Sequence, residues 1–401
     1  MTDKPILFTV GSQLQLPLWK PLSETYRLAF LSTLAFQTAE QLGIQDAIAL
    51  ESYSTIDRTE TAKSRGFWLA SIIGDAIANQ ELILDPDIPE LTYPGIGHWL
   101  PAFAMDQIIG TMMRILTAAA ALGGNRGAGV LVHEDVMPEG RGMAMFGKSE
   151  GLPTLHLPHA NHFVSGYDDI HSKVTSEYIG ARGTYMRDWY KERGIPDDKI
   201  TLVGAPHWDI LYKEETRPSR EHSRRALGLD QDDLVLCYGT TWAQSTAVWG
   251  EGQDDLFHNY LLMLKAAKEM KAKLIVKVHP GSALSYDANY QKMMIKHGVP
   301  GIITRKYNEY CLAASDCLIS QGSSNLAVES TVAGTPVVEL FQCSTRFPDW
   351  IKGTWGDELV DLIKEAIEEG PNIEFARAMN HDNDGNATER CLDWIRELCP
   401  L

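Results

Sequence analysis

The sequence predicts an α/β protein made of two doubly wound parallel-sheet domains that face one another across a cleft. Three observations carry this prediction. Short apolar runs that read as buried strands alternate with segments of helical periodicity along most of the chain. Most of these runs end in a glycine or polar turn, and that end is the edge at which open parallel sheets hold ligands. Finally, 401 residues exceed the roughly 100 to 200 that one domain usually organises. The charged, proline-bearing stretch 213–225 is the natural break, which divides the chain into 1–212, a linker 213–232, a second domain 233–380 and a closing helix 381–401.

In the first domain, Ile6-Leu7-Phe8-Thr9-Val10 reads as a strand, followed by the turn Gly11-Ser12-Gln13 and a helical pattern over 23–42. Gly11 either lets a substrate approach the backbone closely or simply makes the turn. Residues 47–50 form a second short strand. The stretch 85–101 is rich in proline and aromatics, which predicts a long surface loop and a candidate acceptor-side lid. Residues 104–122 form a buried helix, too charged at Asp106 and Arg114 for a membrane span.

The strand 129–132 ends in His133-Glu134-Asp135, and the strand 154–157 ends in Pro158-His159-Ala160-Asn161-His162. If the two strands are neighbours, these residues converge on one crevice. Glu134, Asp135 and His159 are then candidate catalytic groups, since such side chains take a proton from a hydroxyl near neutral pH. Gly11, Ser12, His133 and His162 line the acceptor side. Helix caps and satisfied histidines are the structural alternative for each. A zinc site on His156, His159 and His162 lacks a fourth ligand at any recognisable spacing, so no metal is expected.

The second domain repeats the alternation, with strands at 234–238, 274–278, 301–303 and 317–320 and another opening at Pro336. Three strand ends carry polar turns: Gly239-Thr240-Thr241, His279-Pro280-Gly281 and Gly322-Ser323-Ser324-Asn325. Strand ends of one parallel sheet share an edge, so all three can meet one phosphate, with Ser323, Ser324 and Asn325 opening a helix at its positive end. Glu329, four residues after Asn325, lies on the same helix face and can accept from a ribose diol. An N-cap and a solvated glutamate are the structural reading of the same residues. Neither the phosphate loop of ATP-binding proteins nor the Gly-x-Gly-x-x-Gly dinucleotide fingerprint is present.

Composition narrows the function. A formal net charge of −17 argues against a broad nucleic-acid face or attraction to anionic lipid. Cys237, Cys311, Cys317, Cys343, Cys391 and Cys399 form no Cys-x-x-Cys pair, and no secretory signal precedes them. Buried, reduced thiols in a cytoplasmic protein are the expectation.

Lys277-Val278-His279-Pro280, the Ser323-Ser324 pair with Glu329, the tail Ala333-Gly334-Thr335-Pro336, the segment Val203-Gly204-Ala205-Pro206-His207-Trp208-Asp209 and the closing Asp384-Gly385-Asn386-Ala387-Thr388-Glu389-Arg390 together resemble the GT-B glycosyltransferases. The bacterial capsule and teichoic-acid branch is the most similar, including sialyl-, Kdo- and CDP-glycerol glycerophosphate transferases. The resemblance covers roughly residues 130 to 395. It implies two Rossmann-like domains, an acceptor in the first, a nucleotide-sugar or CDP-polyol donor in the second, and transfer without a bound metal or cofactor. It maps phosphate contacts to His279, Pro280, Ser323 and Ser324. The acidic pair with glycine that several sialyltransferases use as base is not intact, because Glu134-Asp135 is followed by Val136. The base is therefore open between Asp135, Glu134 and His159.

The resulting expectation is a metal-independent glycosyltransferase that moves a sugar or polyol phosphate onto a hydroxyl of a glycan or glycolipid acceptor in surface polysaccharide biosynthesis. Two rivals accompany it. A nucleotide-sugar 2-epimerase has the same fold, although its His-x-Glu-Ala-Gly pattern is missing around His159. A non-catalytic nucleotide-binding protein is the other.

Overall fold

A computed structural model describes residues 3–77, 82–83, 92–93, 96–135, 137–160, 172–213, 216–240, 253–305, 307–322, 324–341 and 350–401. The first sheet contains β1 (Ile6–Thr9), β2 (Arg27–Phe30) and β3 (Ile48–Ala49). Outside it, β4 (Leu82–Ile83) and β5 (Thr92–Tyr93) pair antiparallel. The same sheet continues with β6 (Gly127–Val132), β7 (Thr154–His156), β8 (Tyr178–Ala181) and β9 (Ile200–Leu202). Its order is β3-β2-β1-β6-β7-β8-β9 and every pairing is parallel. The second sheet holds β10 (Val235–Gly239), β11 (Lys273–Lys277), β12 (Gly301–Thr304), β13 (Cys317–Gln321), β14 (Val337–Leu340) and β15 (Gly353–Thr354), again all parallel, in the order β12-β11-β10-β13-β14-β15.

Both sheets are covered by helices on both faces, which is why their strands read as unbroken apolar runs rather than alternating ones. All five residues of β10 and of β13 are buried. In each sheet the strand order reverses once, between β1 and β6 and between β10 and β13. Such reversal points open a crevice at the carboxyl ends of the strands.

The helices are α1 (Leu16–Thr25), α2 (Thr33–Gln41), α3 (Ile56–Ile77), α4 (Ile96–Leu122), α5 (Pro138–Ser149), α6 (Thr184–Glu192), α7 (Asp209–Tyr212) and α8 (Arg220–Ala226). They continue with α9 (Gln253–Glu269), α10 (Ser285–His297), α11 (Asn308–Ala314), α12 (Asn325–Val332), α13 (Leu359–Glu369), α14 (Ile373–Met379) and α15 (Ala387–Leu398).

Three expectations need correction. The helical pattern over 23–42 is two helices separated by β2, whose Leu28, Ala29 and Phe30 are buried; no proline or glycine punctuates that run, so nothing local announces the strand. The expected loop 85–101 is in part helix, since α4 already begins at Ile96. The rest of that stretch lies outside the described residues, apart from β5. Strand β8 was not anticipated. Residues 220–226, inside the expected linker, form α8, whose Arg224 is fully buried and donates to the Ala314 carbonyl and to Asp316.

The last helix, α15, returns to the first sheet. Cys391, Leu392, Trp394 and Ile395 are buried against Leu7, Trp19 and Leu155. Tyr26 Oη donates to the Cys399 carbonyl at 2.7 Å. Asp209 caps the start of α15, accepting from the Ala387 and Thr388 amides at 3.1 and 2.8 Å. Gly204, at φ +82°, sits where a Cβ would come within 2.6 Å of Ala387 Cβ. The Gly204–Asp209 motif is thus the seat of the closing helix. Cys237, Cys311, Cys317, Cys391 and Cys399 are buried free thiols; Cys343 lies outside the described residues.

Candidate functional site

At the first sheet's carboxyl edge, His133 and Glu134 follow β6, and His159 stands three residues after β7. The neighbouring register of Val132 with His156 brings these ends together. His159 donates its backbone N–H to the His133 carbonyl at 3.0 Å, and the two rings meet edge to face at 6.0 Å. His159 Nδ1 lies 2.8 Å from Glu134 Oε2. The expected juxtaposition of the two strand ends is therefore present. Burial pushes His133 down to about 4, helped by the neighbouring His159. His156 is buried and also lowered.

Asp135 has a different fate. It is fully buried, and its two carboxylate oxygens accept the Thr175 and Ser176 amides at 3.0 and 2.6 Å. Both oxygens thus hold the segment that leads into β8, whereas Glu134 pairs with His159 at the strand ends. Gly11 has φ +83°, and a Cβ there would stand 2.5 Å from Ala35 Cβ, so it is the turn residue. Ser12 lines a cleft together with Gln15, His133, His159, Arg182 and His207. His162 lies outside the described residues. A wider depression between Gly127, Lys148, Pro153 and Leu398 opens at the amino ends of the strands, away from these groups.

At the second sheet's carboxyl edge, the switch point lies between Gly239-Thr240 and Gly322-Ser324. A Cβ on Gly239 would meet Leu326 Cδ2 at 2.7 Å, so the glycine lets α12 pack onto the strand end. Thr240 Oγ1 accepts the His279 amide at 3.0 Å, and His279 Nδ1 accepts the Gly281 amide at 3.1 Å. That second bond leaves the proton on Nε2. Burial, with Lys277 and Arg305 nearby, holds His279 below its ordinary value, so it is a neutral donor at pH 7. Ser324 Oγ accepts the Leu326 amide at 3.2 Å as the N-cap of α12. Thr240 and Ser324 thus spend hydroxyl lone pairs on shaping the edge. Pro280 is exposed at the turn, Asn325 opens α12, and Thr241 and Ser323 lie outside the described residues.

Glu329 is not the solvated carboxylate of the structural alternative. Its Oε2 accepts from Asn308 at 2.8 Å, and it faces Arg182 and Trp208 of the first domain. Burial raises it, against the pull of Asn308, Trp208, Arg182 and Lys277. Glu329 therefore stands where the two domains meet.

The sequence reading missed two arginines. Arg305, directly after β12, donates to the carbonyls of His279, Pro280, Ser282 and Ala283 at 3.2, 3.2, 2.7 and 2.9 Å and pairs with Asp287, which fixes the His279 turn. Arg182, directly after β8, is 2% exposed; its Nε donates to the Pro158 carbonyl at 3.2 Å and its guanidinium lies over Trp208. The available signal was their place, an arginine immediately after a strand.

Comparison with known proteins agrees with this architecture. Residues 156–327 match the family model of CDP-glycerol:poly(glycerophosphate) glycerophosphotransferase. No curated protein sequence matches the chain. Among solved structures, UDP-GlcNAc 2-epimerase from Neisseria meningitidis bound to UDP-GlcNAc superposes with a TM-score of 0.60 at 16% identity, covering 98% of this chain and 100% of the other. The wall teichoic acid polymerase TagF gives 0.51 at 12%, covering 99% and 89%. HepE from Anabaena in complex with UDP-glucose gives 0.52 at 12%, covering 98% of each. Among the described residues no helix is long and apolar enough to cross a membrane. Two parallel sheets with this strand order, and the superpositions on these structures, give the chain the GT-B fold, and its residues 156–327 are similar to a transferase family across the strand ends described above.

Proposed function

We propose that the chain moves a polyol phosphate or a sugar from a nucleotide-activated donor to a hydroxyl of a surface-glycan precursor, with no metal in the step. One observation carries the reading: His159 and His279 sit on the carboxyl edges of the two sheets in opposite tautomers. Glu134 holds the proton of His159 on Nδ1, which leaves Nε2 as a base for the acceptor hydroxyl. The Gly281 amide occupies Nδ1 of His279, which leaves Nε2–H to donate to the departing phosphate. In the transfer, the acceptor oxygen bonds to the phosphorus or the anomeric carbon. The bond to the nucleotide phosphate breaks, and the hydroxyl proton passes to His159. Pro280, Asn325 and the amide end of α12 border the phosphate, and Glu329 meets the ribose once it exchanges Asn308 for the diol.

The family match over 156–327 supports a CDP-polyol donor, and it spans His159, Thr240, His279 and Ser324. The second reading, epimerisation of a nucleotide sugar, draws on the Neisseria structure. The purified protein is incubated with CDP-glycerol or UDP-GlcNAc, with and without a glycerol-phosphate oligomer. Nucleotide release that requires the oligomer and is lost in His279→Ala supports transfer. Conversion of UDP-GlcNAc with no acceptor present would instead establish the epimerase.

A further inference from the structure

Arg305 stands directly after β12 at the carboxyl edge of the second sheet, beside the turn that carries His279. An arginine at that edge invites the reading of a phosphate ligand, but its hydrogen bonds leave it no means of acting as one. A guanidinium has five N–H donors and no acceptor. Nη1 donates to the carbonyls of His279, Pro280 and Ser282 at 3.2, 3.2 and 2.7 Å. Nη2 donates to the Ala283 carbonyl at 2.9 Å and to Asp287 Oδ1 at 2.7 Å, and Nε donates to the two Asp287 oxygens at 3.0 and 2.9 Å. Every donor is engaged inside the protein, and the side chain is only 17% exposed. Its backbone is pinned as well, because the buried Lys277 Nζ donates to the Arg305 carbonyl at 2.9 Å.

These bonds bear on one imidazole. Four carbonyls of residues 279–283 converge on a single cation, which keeps the turn closed against the mutual repulsion of their negative ends. In the closed turn the Ser282 amide donates to the His279 carbonyl at 3.0 Å, the Gly281 amide donates to His279 Nδ1 at 3.1 Å, and the His279 amide donates to Thr240 Oγ1 at 3.0 Å. A protonated Nδ1 cannot accept the Gly281 bond, so the closed turn favours the neutral ring, and the cations Lys277 and Arg305 push the same way. The Asp287 carboxylate of α10, which reaches the same turn, is engaged with Arg305. We infer that Arg305 is a positioning residue that acts through His279: by closing the turn it holds the Gly281 amide on Nδ1 and so leaves Nε2–H to donate, without itself touching a ligand. The link from that ring to turnover rests on the transferase reading; the hold on the ring does not.

The test combines NMR titration of the His279 ring in the full-length protein, calorimetry with CDP, and nucleotide release from CDP-glycerol in the presence of a glycerol-phosphate oligomer. In Arg305→Met we expect the His279 midpoint to rise toward its ordinary value of about 6.5. We expect kcat to fall at least about tenfold while the Kd for CDP stays within about twofold, because Arg305 serves the acid and not the donor. Nucleotide release in the His279→Ala, Arg305→Met double variant should match that of His279→Ala alone, since the arginine acts through the ring. Arg305→Lys keeps the charge but cannot span four carbonyls, so it should show a similar loss in kcat and a smaller rise in the midpoint, and it remains informative if Arg305→Met fails to fold by circular dichroism. An unchanged His279 midpoint in whichever variant folds overturns the inference. So do losses that add in the double variant, and so does CDP affinity falling in step with kcat, which would make Arg305 a ligand of the donor. A raised His279 midpoint in a protein that releases no nucleotide leaves the hold of Arg305 on the ring standing while the transferase reading falls.

Discussion

Glu134→Gln is the sharpest perturbation of the proposed chemistry, because it changes one atom type and no shape. The Glu134 carboxylate lies 2.8 Å from His159 Nδ1 and is 13% exposed, whereas His159 is 44% exposed. Two effects add. Loss of the charge removes stabilisation of the imidazolium that forms as the acceptor proton is taken. An ion pair at this range is worth about 4 kcal/mol at an effective dielectric constant of 20, and half-exposure of the ring reduces that to about 1–2 kcal/mol, or roughly 5- to 30-fold in rate. The second effect is tautomeric. A glutamine amide can donate to Nδ1 and so send the proton to Nε2, which abolishes the base; a positioned general base contributes about 10² to 10⁴-fold. We expect kcat for nucleotide release to fall about 10²-fold or more, with little change in donor KM or in the thermal midpoint. His159→Gln should cost about as much, and the double variant hardly more than either, because the two residues act as one unit. A Glu134→Gln rate within twofold of the unaltered enzyme, or additive losses in the double variant, would refute the reasoning.

Two further predictions concern the scaffold. Asp209→Ala leaves the Ala387 and Thr388 amides bare at a buried helix start, and should lower stability by about 2–4 kcal/mol, seen as a lower urea midpoint at unchanged slope; an unchanged midpoint would remove Asp209 as the cap. Because His133 sits at about 4 in the folded chain and near 6.5 unfolded, the unfolded state binds the extra proton between those values. Its contribution is complete above about pH 6.5 and is lost as the pH falls toward 4, on the order of 2–5 kcal/mol, with His156 and His207 acting in the same direction. His133→Gln should therefore narrow the gap between urea midpoints at pH 7.5 and pH 5, and an unchanged gap would contradict a neutral, buried His133.

Much of this molecule was legible in one dimension. The strand ends after β6, β7, β10, β11 and β13 were marked by polar or glycine turns, and their residues do gather at the carboxyl edges of two parallel sheets. The elements that escaped lack such punctuation. Arg27-Leu28-Ala29-Phe30 sits between two helical patterns with no turn residue inside it, and β8 precedes an arginine rather than a polar cluster. The linker reading failed to foresee α8, because a charged stretch looks solvated until one of its arginines is found buried against Asp316.

The sequence by itself determined most of the segments that become strands and helices, and it supplied the side chains at the strand ends, because periodicity and turn chemistry act over a few residues. Which of those side chains are free to react was decided only by tertiary structure. Asp135 and His159 look equally able to take a proton on paper. Asp135 has both oxygens bound to amides 40 and 41 residues away, and His159 has its tautomer set by Glu134 across a strand pairing. Glu329 and Arg182 come from different domains, yet each shapes the other's charge at the cleft. Hydrogen-bond saturation and desolvation depend on neighbours brought in from distant sequence, and strand order chooses those neighbours.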